Sequence, residues 1–199
     1  MTIEARPGAP RQRILDTAFR LFYAHGIRAV GIDRIIAESE VAKATFYKHF
    51  PAKDDLVIAY LDKVDGVWGQ QLRAAAEAAG PDPAEQLVGL FDALATACRR
   101  EGYRGCAFIN AAAESRPGTV VHERTLAHKL AVRAWVRDLA QRAGATDPDA
   151  LARALTLLLD GGLASGSLDA QPDAPVVARS AAQALVAAWT AAPRRTADN

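Results

Sequence analysis

The stretch VAKATFYKHFPAKDDL, residues 41–56, decides how this chain is read. Its sixteen positions hold three lysines, a histidine, a tyrosine and two phenylalanines, with no acid from Val41 through Lys53. At helical spacing the aromatics divide. Phe46 and Phe50 are four apart and share one side, while Lys43 and Tyr47 share another, with Ala44 and Lys48 beside them. The first side suits a small core with Val41, Ile35 and Ile36. The second presents one short apolar side chain, one phenol and two ammonium groups. A solvated helix face normally mixes Glu with Lys, so the missing acid points to an acidic partner rather than to water alone. DNA fits: lysines neutralise phosphates, the Thr45 and Tyr47 hydroxyls can donate to phosphate oxygens, and Ala44 can touch a thymine methyl.

Outward from this stretch the chain reads as all-α, with about nine helices. Gly26, Gly80, Gly102 and Gly144 stand where helices stop. Asp82-Pro83 and Asp147-Pro148 each place a capping side chain before a proline suited to the first helical position. Apolar residues recur at helical spacing in three stripes: Ile14, Ala18, Leu21 and Phe22; Leu87, Leu90, Phe91 and Leu94; Leu151, Leu155 and Leu158. No β-type alternation with hairpin turns is present. The pattern predicts helices over 10–25, 32–38, 43–49, 54–79, 84–101, 106–115, 119–143, 149–168 and 174–191, with loose termini. The helices at 32–38 and 43–49 are too short to be stable alone, so they must pack on Ile14, Leu21 and Phe22. Three short helices with a turn of about four residues between the second and third describe a helix-turn-helix.

Composition sets the outer limits. The 199 residues are half hydrophobic, enough for a substantial core. Residues 1–53 carry nine Lys/Arg against five Asp/Glu, a balance of +4, and residues 54–199 carry fifteen against eighteen, a balance of −3. A basic head on a mildly acidic body is expected where one end meets nucleic acid. No apolar run reaches membrane-spanning length, and the N-terminal MTIEARPGAPRQR has no apolar core of a secretory signal. Two cysteines make no disulfide framework. The expectation is a cytoplasmic protein with reduced thiols and no membrane association.

The residues RILDTAFRLFYAHGI and IDRIIAESEVAKATFYKHFPAKDDLV resemble the DNA-binding domain of the TetR family of bacterial transcriptional repressors. The resemblance runs through residues 11–58, under a third of the chain. It implies an N-terminal DNA-binding domain, 1–53, with its recognition helix at 43–49, and a ligand-sensing and dimerisation domain, 54–199. By position, Lys43, Ala44 and Tyr47 would face bases; Thr45, Tyr47, Lys48, His49 and Lys53 would hold phosphates. Further contacts are implied at the start of the second helix, where Gly31 and Arg34 stand and backbone amides can meet a phosphate. The chain departs from the family pattern at four positions. Gly31 replaces a capping Ser or Thr, Glu40 replaces the Gly of the tight turn, and Ala42 and Ala52 replace serines.

The resemblance further implies a one-component repressor, a homodimer on a pseudo-palindromic operator, released by a small apolar or amphipathic effector. Helices 149–168 and 174–191, rich in Ala, Leu and Val, are the expected dimer seam. LLLDGGLASGSL places Gly161, Gly162 and Gly166 inside a helix, a cost of roughly 1 kcal/mol each that close helix approach explains. YRGCAFINAAAES, residues 103–115, is similar to a Gly-Cys-x-x-x-Asn-Ala stretch in the sensor domains of one TetR subgroup. Its Asn110 is open to two roles, orienting a ligand or capping a neighbouring backbone. Trp68, Phe91, Cys106, Phe108 and Trp135 are candidate pocket walls, although for any single one of them plain core packing is the more ordinary role.

The sequence also allows other readings. Cys98 and Cys106 allow a cysteine-based redox-sensing regulator, against the ordinary behaviour of buried cysteine as a small hydrophobe. Gly31 and Glu40 allow a helical small-molecule-binding module with weakened DNA binding. An enzyme finds no nucleophile elbow, phosphate loop or HExxH pair. His122 and His128, six apart, do not share a helical face for a metal, and no cofactor is expected.

Overall fold

A computed structural model describes residues 8–168 and 173–191. Those residues form nine helices in the order α1 Pro10–His25, α2 Ile32–Ser39, α3 Lys43–His49, α4 Lys53–Ala78, α5 Pro83–Cys98, α6 Ala107–Glu114, α7 Val120–Arg142, α8 Pro148–Leu168 and α9 Ala174–Thr190. The largest departure from the periodicity reading is α5, which stops at Cys98 rather than near 101. Arg100 N–H turns back to the Ala97 carbonyl and Tyr103 N–H to that of Arg100, so two successive turns replace the last helical turn. The expected loose termini lie outside the described residues.

Local chemistry explains the helix starts. Asp82 accepts from Ala84 N–H at 2.9 Å with Pro83 at the first helical position, and Asp147 accepts from Ala150 N–H at 2.9 Å ahead of Pro148. At the start of α4, Asp55 reaches back to the Ala52 N–H at 2.9 Å. This supplies half of a capping box, while Ala52 has no hydroxyl to complete the other half. Asp54 and Asp55 also place negative charge at the positive end of the helix dipole.

The described residues form two compact units. The first takes 8–66 and 107–128. In it α1 packs against α2 and α3 around Ile14, Ala18, Leu21, Phe22, Val30, Ile35, Phe46 and Phe50, all buried. The first half of α4 joins that core through Leu56, Val57, Tyr60 and Leu61, and Tyr60 meets Phe19 and Phe22 edge-on at 5.6 Å. The second unit takes 67–106, 129–168 and 173–191, with α5, α8 and α9 packed together around Leu87, Leu90, Phe91, Leu94, Leu151, Leu155 and Leu159. Leu158, expected in the α8 stripe, is only partly buried against this core, and Leu157 is exposed.

Glycines allow the closest approaches inside the second unit. A Cβ on Gly89 would lie 2.4 Å from Ala79 Cβ and 3.0 Å from the Ala75 carbonyl, so the end of α4 and α5 touch through backbone. Gly162 faces Leu94 and Ala178, and Gly166 faces the Cys98 sulfur. Two of the three glycines in LLLDGGLASGSL therefore serve packing within the chain, and only Gly161 looks onto open space.

Candidate nucleic-acid interface

In the head, α3 divides as its period predicts. Phe46 and Phe50 are buried, 6.2 Å apart between ring centres, while Lys43, Ala44, Tyr47 and Lys48 are exposed. Tyr47 is 41 % exposed and stands edge-on to Phe46 at 5.3 Å, so the buried ring braces the outward phenol. Thr45 and His49 are half-buried at the flanks of the same helix. Lys43 lies 3.6 Å from Asp33 of α2, both highly exposed, a pairing weak enough to yield to a phosphate.

Two expected phosphate contacts are placed differently. Arg34 is exposed, but its Nε donates to Glu38 at 2.8 Å, and its Nη2 stands 3.3 Å from His25. Glu38 also receives Arg20 at 2.7 Å, and the bonds from Arg34 and Arg20 hold its carboxyl below the usual range. Arg34 is thus engaged within the head. Lys53, the first residue of α4, is half-buried with its ammonium 6.0 Å above the Phe22 ring. Burial lowers its pKa, opposed by the negative charges of Glu114 and Asp54.

The departures at Gly31 and Glu40 have visible consequences. Gly31 precedes α2 with an extended backbone, φ −79° and ψ 154°, and makes no side-chain cap, and a Cβ there would meet nothing within 4 Å. Ala42 likewise leaves α3 without a side-chain cap. Glu40 closes α2 at φ 52° and ψ 44°, the left-handed region. It is the single non-glycine residue with positive φ among the described residues. Its N–H and that of Val41 fold back to the Ala37 and Ile36 carbonyls at 3.3 and 3.5 Å, a cap that ordinarily selects glycine.

The expected ligand residues are divided between the two units. Phe91 is fully buried in the second unit's core, against which Trp68, Cys106 and Trp135 pack while only partly buried. Trp135 also lies under the Arg73 guanidinium at 5.8 Å. Phe108 and Asn110 belong to the first unit. Asn110 is exposed on α6, on a face turned away from the buried Ala107, Phe108 and Ala111. Phe108 stacks flat on His128, ring centres 3.6 Å apart and planes at 4°. His128, 2 % exposed, shares its Nδ1 with Asp65 at 2.7 Å, and Arg124 forks onto Asp62 and Asp65 at 2.7 and 2.6 Å. Burial would push Asp65 up, but the bonds from Arg124 and His128 outweigh it and hold its carboxyl below the usual range. Sequence spacing gave no sign of this cluster, whose partners lie about sixty residues apart.

The second unit also has an open groove of about 510 Å³ between α4, α5 and α9, floored by Ala75, Ala79, Val88 and Val186. None of the expected ligand residues lines it. Both cysteines are free thiols. Burial raises the pKa of Cys98, and contact with Tyr103 only partly offsets this. No described helix is long and apolar enough to cross a membrane, and no cluster of three or more His, Cys, Asp or Glu among the described residues could hold a metal ion.

Comparison with known proteins points in one direction. Residues 14–60 match the sequence model of the family described as bacterial regulatory proteins, tetR family. The chain is similar to SCO4454, a TetR-family transcriptional regulator from Streptomyces coelicolor. Identity is 38 %, the TM-score is 0.85, and the match covers 92 % of this chain and 96 % of that one. It is also similar to the TetR-type regulator sav143 from Streptomyces avermitilis, with 26 % identity, TM-score 0.81 and coverage of 91 % and 98 %. Among curated proteins it is 34 % identical over 88 residues to the HTH-type transcriptional regulator LmrA of Bacillus subtilis. That match takes in 44 % of this chain and 46 % of LmrA, so it spans less than half of that relative.

Proposed function

Because the chain belongs to the TetR family of transcriptional regulators, we propose that it is a one-component repressor binding a pseudo-palindromic operator as a homodimer. The family's members are regulators and not enzymes. One observation carries the reading: α3 buries Phe46 and Phe50 beneath an exposed face of Lys43, Ala44, Tyr47 and Lys48 that carries no acid. In this proposal Lys43, Ala44 and Tyr47 reach base edges. Thr45, Lys48 and His49 contact phosphate together with the first-turn amides of α2 behind Gly31. Arg34 and Lys53 contribute only if they leave Glu38 and Phe22, so their share is smaller. The division of labour runs between a DNA-contacting head, 1–53, and a sensing and pairing body, 54–199, in the cytoplasm.

The dimer proposal is supported by large apolar side chains left exposed on α8 and α9: Leu157 at 74 %, Leu168 at 82 %, Val176 at 65 % and Val177 at 60 %. A second copy on this face would cover them. The two recognition helices would then stand roughly 34–36 Å apart, one turn of DNA. The effector is a small apolar or amphipathic molecule. Trp68, Cys106 and Trp135, only partly buried, are better placed to meet it than the fully enclosed Phe91. The raised pKa of Cys98 lowers its thiolate fraction and speaks against the redox alternative.

Fluorescence anisotropy with duplex DNA from upstream of the protein's own gene tests the proposal. Specific binding that weakens steeply between about 50 and 200 mM salt is expected. Binding no tighter than to a scrambled duplex at low salt would refute it and favour a ligand-binding module. Light scattering that shows a monomer at micromolar concentration would refute the dimer.

A further inference from the structure

Glu114 is the last residue of α6, and its carboxylate stands on the loop between α1 and α2. It accepts from the Ile27 N–H at 3.2 Å through Oε1 and from the Arg28 N–H at 2.6 Å through Oε2. These partners are 87 and 86 residues away in sequence. The loop is shaped to receive it. Gly26, at φ 88°, ends α1, and a Cβ there would come within 2.8 Å of Glu114 Oε1. Glycine at 26 thus provides both the backbone turn and the notch for the carboxylate. The Lys53 ammonium feels the same negative charge, which raises its pKa against the effect of burial.

The placement runs against what α6 alone would favour. A carboxylate at a helix C-terminus faces the negative end of the dipole, so the two loop amides and the nearby ammonium are the favourable partners of this charge. The two amides tie the end of α6 to the loop that enters the helix-turn-helix. The loop leads within three residues to Gly31 and the first turn of α2, the proposed site of a phosphate contact.

We propose that Glu114 is a positioning residue through which α6 sets the α1–α2 loop, a second tie to the head beside the covalent link through α4. This rests on the regulator reading given above. Through Glu114, a shift or lengthening of the C-terminal turn of α6 moves the Ile27 and Arg28 amides and with them the entry of α2. By reciprocity, fixing the head on DNA steadies the end of α6.

The test uses full-length wild type, Glu114→Ala and Glu114→Gln, which keeps an acceptor oxygen at the same reach. Hydrogen exchange is followed in peptides covering residues 26–30 and 107–114, with and without the upstream duplex. Glu114→Ala should speed exchange at Ile27 and Arg28 by roughly tenfold or more, and Glu114→Gln should restore part of that protection. DNA should slow exchange at the end of α6 in wild type and not in Glu114→Ala. Unchanged exchange at Ile27 and Arg28 in Glu114→Ala would overturn the positioning role. An equal response of α6 to DNA in both proteins would overturn the coupling. If wild type does not bind the duplex, the regulator reading and the coupling fall together, while the exchange of free protein still decides whether Glu114 positions the loop.

Discussion

Glu40→Gly should make the head more stable. Glu40 is held at φ 52° and ψ 44° by the turn that joins α2 to α3. For an L-residue with a Cβ that conformation costs roughly 1–2 kcal/mol. Glycine removes the cost but brings a more flexible unfolded chain, which takes back about 0.4–1 kcal/mol. The difference is a net gain near 1 kcal/mol, or a rise in Tm of about 2–4 °C for a chain of this size. The bond from Arg13 survives the exchange, because it goes to the Glu40 backbone carbonyl, at 3.4 Å, which glycine keeps. Charge must be separated from strain, since Glu40 also sets a negative side chain beside the proposed DNA face. Glu40→Gln removes the charge and leaves the backbone penalty. Thermal unfolding of the two variants with wild type isolates the backbone effect, and anisotropy isolates the charge. The expected order of stability is Gly above Gln and wild type, with both variants binding DNA more tightly than wild type. If Glu40→Gly is no more stable than Glu40→Gln, the left-handed turn is not a source of strain and the reasoning fails.

Four further substitutions have outcomes set by the same structure. Tyr47→Ala should weaken specific binding by about 1–3 kcal/mol and relax sequence choice, whereas Lys53→Ala should weaken all sequences similarly and flatten the salt slope by at most about one unit; competition assays across salt concentrations decide both. Gly89→Ala should cost roughly 1–3 kcal/mol in urea unfolding, because its new methyl meets Ala79 Cβ at 2.4 Å and a backbone carbonyl at 3.0 Å; an unchanged midpoint would show that α4 and α5 separate freely. Asp65→Asn should destabilise at pH 7 by about 1–2 kcal/mol, discounted for the partial exposure of Asp65. Because the folded pKa of Asp65 is depressed, its contribution is complete above the unfolded value near 3.8 and is lost as pH falls through the folded one. The gap between variant and wild type should therefore narrow in unfolding experiments below about pH 4, and a gap that stays constant would refute the assignment.

The sequence by itself determined whatever depends on residues three or four apart. Phe46 and Phe50 had to share one side of α3 and Lys43 and Tyr47 another, because 3.6 residues per turn leave no other arrangement. The caps at Asp82 and Asp147 are equally local, since side chain and orphan amide are two or three residues apart. The strain at Glu40 was readable as soon as a glycine-type turn was seen to hold a glutamate. Only the tertiary structure decided what rests on rotation about a helix axis or on distant partners. α6 is apolar apart from Asn110 and Glu114, so its pattern does not say which way Asn110 points, and packing turned it outward. The glycines of α8 read as part of an expected dimer seam, and Leu94 and Cys98 of the same chain took two of them. Arg34 and Lys53 look like free cations until folding supplies Glu38 and the Phe22 ring. Glu114, an ordinary acid at a helix end, meets its amides only because folding brings together segments some eighty residues apart.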